Sequence, residues 1–161
     1  MRRYVVGPWA HNIVFVDGQA QHRGGHRETN VNDKPQDTPW LSNDALDYCA
    51  GAYDNGFGAK NDLKVTHRRE VLFVKPDYWL VMDTLTPEDG EAHEYQSLLH
   101  LGTEDAQAEG SAAWTVGHGV NLRIVTAGAA AQADIVKGQE EPHYLGWIGK
   151  HTNLIARDAG S

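Results

Sequence analysis

The sequence carries a single cysteine, Cys49, and two methionines among its 161 residues. One thiol excludes an internal disulfide and leaves the redox compartment open. Basic residues are scarce too: 14 Lys and Arg stand against 22 Asp and Glu, a formal net charge of −8. No Lys/Arg cluster offsets that balance, which argues against a nucleic-acid partner and an anionic membrane surface. The same charge disfavours holding an acidic polymer by general attraction, so an anionic substrate needs a local site. No apolar run approaches the ~20 residues of a transmembrane helix. Met1-Arg2-Arg3 has the charge of a signal-peptide start, but Gly7, Pro8, His11 and Asn12 break the stretch behind it. No targeting segment is therefore expected. Catalytic signatures readable from spacing are missing as well: no nucleophile elbow, phosphate loop, CxxC pair or HExxH is present.

What is present is an ordinary globular mixture, 40% hydrophobic and 22% charged, long enough for one domain with a sizeable core. Short strand-forming runs alternate with turn residues. Tyr4-Val5-Val6 reads as a strand start, interrupted at Gly7-Pro8 and resumed at Asn12, after which Ile13 to Val16 end in the turn dipeptide Asp17-Gly18. Gln19 to about Asp44 is polar and irregular. Asp47 to Tyr53 suits a short strand. Leu63–Val74 and Tyr78–Asp83 flank Lys75-Pro76-Asp77, which predicts a hairpin from about Val65 to Leu85 at the centre of the fold. The second arm is apolar nearly throughout, as in a strand covered on both faces. Glu91–Leu101, Ala112–Val116, Val120–Val125, Ala133–Val136 and Asn153–Ala156 complete a set of about eight to ten strands. With no sustained helical period, the expectation is an all-β, antiparallel β-sandwich over residues 1–161, with few or no helices.

Nine histidines, six tyrosines and five tryptophans are the residues with chemistry to offer. His11 sits at the lip of the first buried run, where a sheet holds a ligand or catalytic group in place. A satisfied structural imidazole fits the same position. His22 and His26, four apart, have metal spacing on a helix, but Gly24-Gly25 between them favours a solvated loop. Trp9, Tyr78, Trp79 and Trp114 stand among apolar neighbours and read as core, whereas Trp147 lies in a polar, Gly-rich stretch and reads as exposed. His67-Arg68-Arg69 offers a carboxylate fork or, equally, solvated edge charges.

Three stretches together resemble the C-terminal β-sandwich of the heparinase II/III-like polysaccharide lyases. Ala10-His11-Asn12-Ile13-Val14-Phe15-Val16-Asp17-Gly18-Gln19-Ala20-Gln21 is similar to the family's Ala-His-Asn-Thr-Val-x-Val-Asp-Gly-x-x-Gln, with Ile13 in place of Thr. His67 to Asp83 matches its most recognisable hairpin. Tyr95 to Leu101 resembles the following strand, and Pro142 to Trp147 its closing Pro-x-x-x-Gly-Trp segment.

The resemblance implies a lyase that cleaves uronic-acid polysaccharides, of glycosaminoglycan or alginate type, by β-elimination. A base takes the proton α to the uronate carboxylate, and an acid protonates the leaving glycosidic oxygen. In the family a helical α/α toroid carries the tyrosine and an Asn or His. Zinc-containing members bind the metal through a His-x-His element, an Asp and the His of Ala-His-Asn, which is His11 here. No residue of this sequence matches the catalytic acid or base. The expectation is thus a sandwich portion, truncated at its N-terminal end and inactive alone, that meets its anionic polysaccharide only with a toroid. Zinc is expected in the full-length parent and none in the isolated chain; a periplasmic or secreted location is expected for the parent. Two other readings stay open: a stand-alone carbohydrate-binding or structural module, and a cupin-like metal enzyme using His11 with His22, His26 or His93.

Overall fold

No stretch of the sequence sustains the 3.6-residue apolar period of a long helix. The structure, a computed structural model, describes residues 2–21, 38–128, 131–151, 154–157 and 159–160; the His22/His26 pair lies outside the described residues. Helix is confined to one turn, α1 (Arg2–Val5), and a 3-10 turn at Pro8–Ala10. In chain order the first strands are β1 (Val14–Val16), β2 (Trp40–Ser42), β3 (Leu46–Tyr53), β4 (Val65–Val74), β5 (Tyr78–Pro87), β6 (Tyr95–Ser97) and β7 (Ala106–Glu109). They are followed by β8 (Ala112–Thr115), β9 (Arg123–Val125), β10 (Val136–Lys137), β11 (Trp147–His151), β12 (Leu154–Arg157) and β13 (Ala159–Gly160). Strand makes up 46% of the structure and helix 4%, so the chain adopts the all-β, antiparallel β-sandwich class expected from its sequence.

The chain divides into two compact units, one of Met1–Val14 with Gln96–Ser161 and the other of Phe15–Tyr95. In the Phe15–Tyr95 unit, β2-β3-β4-β5 form one antiparallel sheet. The predicted hairpin is there: β4 and β5 pair without a break from Val74↔Tyr78 to Val65↔Pro87. Its turn closes where the Asp77 N–H donates to the Val74 carbonyl at 2.8 Å. Lys75 anchors it, with Nζ 2.8 Å from Asp47 and donating to the Asn43 carbonyl at 2.7 Å. Asp17-Gly18 forms the expected tight turn, both residues at positive φ (49° and 69°) as a two-residue hairpin loop requires. Beneath it, Val16, Phe57 and Val65 are buried, with Tyr53, Leu63 and Leu85 packed against them. Each such side chain withdrawn from water contributes roughly 1.5–3 kcal/mol.

In the unit of Met1–Val14 with Gln96–Ser161, β7-β8-β9 make a three-stranded sheet, and β10 pairs with β13 and β11 with β12. Tyr4, Val14, Leu98, Leu101, Ala112, Ala113 and Leu145 are its buried residues.

Three expectations fail here. Tyr4-Val5-Val6 is not a strand: the Gly7 N–H donates to the Tyr4 carbonyl at 2.9 Å and closes a helical turn instead. Three residues before Gly7-Pro8 are too few to gain a ladder, since Pro has no N–H to extend it. The strand expected over Glu91–Leu101 shrinks to Tyr95–Ser97, because the flanking backbone is taken by side-chain acceptors. Third, β5 is not covered on both faces. It is an edge of its sheet among the described residues, and Tyr78, Trp79, Leu80, Val81 and Met82 are each more than half exposed. Trp79 stacks on Phe73 at 4.2 Å and 6°. Apolar composition specifies what a strand surface is made of; the strand order decides what covers it. Strands β2, β7, β11 and β13 have no counterpart in the expected set.

Gly146 is required by geometry. Its φ is +72°, and a Cβ there would lie 2.4 Å from the Val136 carbonyl oxygen and 2.8 Å from the Lys137 Cα. Backbone gives way less readily than a side-chain tip, so Gly146→Ala is expected to lower stability by at least about 2 kcal/mol. Denaturant unfolding measures this; a shift below about 0.5 kcal/mol contradicts the left-handed, close-packed geometry.

Candidate functional site

Pro8 presets the first φ of the 3-10 turn, and at His11 the backbone returns to extended geometry (φ −133°, ψ 155°) with its N–H donating to the Pro8 carbonyl at 3.2 Å. That reversal turns the His11 side chain to an exposed position. Asn12, next to it, is a fastener. Its Oδ1 accepts the backbone N–H of His100 at 2.6 Å. One residue on, the Ile13 carbonyl accepts the N–H of Leu98 at 2.8 Å. The Ala-His-Asn stretch and the Tyr95–Leu101 stretch are thereby locked together, and His11 and His100 line one cavity of about 220 Å³.

Tyr4, Ala10 and Trp147 are among its other walls. Tyr4 Oη donates to the Trp147 carbonyl at 2.7 Å and accepts the Trp147 N–H at 3.2 Å, while the indole N–H donates to the Gln139 carbonyl at 2.8 Å. Trp147 is thus a braced wall, not the exposed platform expected from its polar surroundings, because the Tyr4 hydroxyl holds its backbone and the Gln139 carbonyl its indole. Trp9 stacks on His143 at 3.5 Å, and burial pushes the His143 imidazole below its ordinary value of 6.5.

Two imidazoles at one cavity supply nitrogen donors for a transition metal or hydrogen-bonding groups for a polar ligand. A protein zinc site needs three or four ligands, and no group of three His, Cys, Asp or Glu gathers among the described residues. The residues present fit part of a zinc shell and not a closed one. His100 was not singled out by spacing, because it stands between Leu99 and Leu101 and reads as one position of a strand.

Two charged constellations lie in the Phe15–Tyr95 unit. Arg69 faces Asp83 across β4–β5 and grips it bidentately, Nε to Oδ1 at 2.7 Å and Nη2 to Oδ2 at 2.9 Å. His67, buried, places Nε2 2.7 Å from the same Oδ1, and Gln21 Nε2 is 3.4 Å from its Nδ1. Burial alone would raise the Asp83 carboxyl, but the His67 and Arg69 hydrogen bonds and charge outweigh it and hold the pKa at about 2. On the neighbouring residues, Tyr48 donates to Glu70 at 2.5 Å and Arg68 reaches the same oxygen at 3.4 Å. The His67-Arg68-Arg69 stretch is therefore neither a fork open to a ligand nor a solvated edge: its guanidiniums are engaged by carboxylates of its own sheet. His93 lies between Asp17 (Nδ1–Oδ2, 2.6 Å) and Asp89 (Nε2–Oδ1, 3.1 Å). The Asp17 contact first and Asp89 second raise its pKa, and both carboxyls are lowered in turn.

The all-β chain thus sets His11 just ahead of its first strand and turns its β4–β5 hairpin through Lys75-Pro76-Asp77. The family model described as Heparinase II/III-like, C-terminal matches residues 1–146, and the chain belongs to that family. No curated protein and no solved structure matches the chain.

Asp83 is depressed from 3.8 to about 2, so its contribution to stability is complete above pH ~4 and is lost as pH falls through 2. Asp83→Asn leaves Arg69 and His67 without their counter-charge and is expected to cost about 2–3 kcal/mol at neutral pH. Acid titration of unfolding should be flatter for the variant between pH 4 and 2 than for the wild type. An equal slope in both excludes Asp83 as the source. His93, raised above 6.5, contributes in the opposite sense: its stabilisation is complete below that pH and is lost as pH rises through the folded value. NMR titration should place its midpoint above 6.5, and Asp17→Asn should lower it; an unmoved midpoint rules out Asp17 as the main cause.

Proposed function

We propose that the chain is the β-sandwich portion of a polysaccharide lyase that cleaves uronic-acid-containing polysaccharides by β-elimination in concert with an α/α toroid. Membership of the heparinase II/III-like C-terminal family carries this reading. The cavity that brings His11 and His100 together supports it, since it sets two imidazoles in its lining, groups that can ligate a metal or hydrogen-bond a sugar acid. In the reaction a base removes the proton α to the uronate carboxylate while an acid protonates the glycosidic oxygen that leaves. The carboxylate must be neutralised for that carbon acid to ionise. On this reading the toroid provides the acid and the base, and the sandwich presents one wall of the cleft. Zinc, when bound, supplies a fixed positive charge that orders the site. His11 is the residue of this chain that holds it, with the remaining ligands in a His-x-His element and an Asp outside these residues.

The test is direct, because the unsaturated uronate product absorbs in the ultraviolet. The chain joined to its toroid should turn over heparan sulfate or alginate, and residues 1–161 alone should give no measurable product. Turnover by the isolated chain at parent-like rates means that an acid and base exist within it and overturns the division of roles. Zinc content is the second readout: the joined protein should bind it, the isolated chain far more weakly, and His11→Ala should abolish it in the joined protein. Equal zinc with Ala at position 11 removes His11 from the ligand set.

A further inference from the structure

In the unit of Met1–Val14 with Gln96–Ser161, the register of β7-β8-β9 aligns Gln107, Trp114 and Arg123 in one row. Side chains in one row share a face, so an indole stands between an amide and a guanidinium on one face of the sheet. The neighbouring row on that face begins with Glu109, and both Gln107 and Glu109 are exposed. Ala108, Ala113 and Ile124 take the other face, where Ala113 is buried. The Glu109 row continues through the buried Ala112 to Val125, so the partly buried indole packs beside an alanine on its own face and meets solvent among Gln107, Glu109 and Arg123.

A groove of about 550 Å³ runs beside this indole, bounded by β7 on one side and by residues 133–135 on the other. The Ala133 N–H donates to the Gly110 carbonyl at 2.8 Å and holds that wall against the end of β7. Asp134, exposed, and Glu109 both line the groove. The Arg123 guanidinium lies 5.7 Å from the indole centroid but does not line the groove, so it braces the ring and leaves the groove its acidic character.

We propose that this groove binds an uncharged pyranose ring, a hexose or N-acetylhexosamine, stacked on Trp114. The polarised C–H face of such a ring complements the negative face of an indole. Its hydroxyls, arrayed around the ring edge, donate to the Glu109 and Asp134 carboxylates, which accept at two oxygens each, and exchange hydrogen bonds with the Gln107 amide. A volume of this size falls within the ~300–1,000 Å³ range of small-molecule sites. The two carboxylates repel a uronate, so the groove takes the uncharged residues of a mixed polymer and not its acidic ones. The choice of polymer rests on the lyase reading; the stacking site does not.

Isothermal titration of residues 1–161 with uncharged tetrasaccharides (of glucose and of N-acetylglucosamine) and with a tetrauronate tests the site. One uncharged ligand should bind in the millimolar range, and the tetrauronate at least about tenfold more weakly. Trp114→Ala should weaken binding of the uncharged sugar at least about tenfold. Glu109→Gln with Asp134→Asn, at exposed positions where folding is not at stake, should narrow the gap to the uronate. No binding of either uncharged sugar, unchanged binding by Trp114→Ala, or a uronate preference overturns the proposal. Ultraviolet product formation by the toroid-joined protein is read separately. Elimination without sugar binding at the groove overturns the groove alone, and sugar binding without elimination overturns the lyase reading alone.

Discussion

Asn12 Oδ1 accepts the backbone N–H of His100 at 2.6 Å, and that hydrogen bond fixes which two imidazoles share a cavity. A side-chain amide can do this because its oxygen mimics a backbone carbonyl one bond-length further from the chain, so it caps an N–H where no strand partner is in register. Asp17 does the same service in the Phe15–Tyr95 unit. Its Oδ1 accepts the Glu94 N–H at 2.8 Å while its own N–H donates to the Glu94 carbonyl at 2.9 Å. The Asn and the Asp of the first motif are therefore explained as fasteners of the returning chain. His11 of that motif is left exposed, an imidazole with chemistry to offer.

The hairpin was legible because it rests on local information: two runs of apolar residues, and Lys75-Pro76-Asp77 between them to reverse the chain. His11 was legible at the mouth of its strand for the same reason. What could not be read depends on partners distant in sequence. That β5 is an edge follows from the order β2-β3-β4-β5, which no residue of β5 encodes. That Arg69 and His67 converge on Asp83 follows from the register of β4 against β5, where a slip of one residue would send the carboxylate to the other face. Trp147 reads as exposed from its Gly-rich neighbours, yet the Tyr4 hydroxyl, 143 positions away, pins its backbone.

These distant pairings also decide what kind of site each charged cluster makes. A guanidinium beside a strand is open to an anionic ligand only if its own sheet offers no carboxylate in reach. Arg69 has Asp83 opposite, and Arg68 has Glu70 two residues along its own strand. Both cations are spent on internal geometry, with the bidentate fork of Arg69 the better ordered of the two. Lys75 is likewise committed to Asp47 at the hairpin turn.

A chain of net charge −8 whose hairpin cations are engaged in this way has little general attraction for a polyanion. A uronate polymer approaching it is repelled over the ~8–10 Å reach of unscreened charge and gains only where a local positive group waits. On the lyase reading proposed above, that constraint favours a division of labour in which neutralisation of the substrate carboxylate is concentrated at one point, as a metal or a partner domain does. The sandwich then contributes rigid placement: a strand lip for His11, an amide staple for His100 and a wall of Tyr4 hydrogen-bonded to Trp147. Placement of this kind demands stiffness more than charge. Hydrogen bonds from buried or braced groups, such as Tyr4 to Trp147 and Asn12 to His100, supply it at the cavity itself.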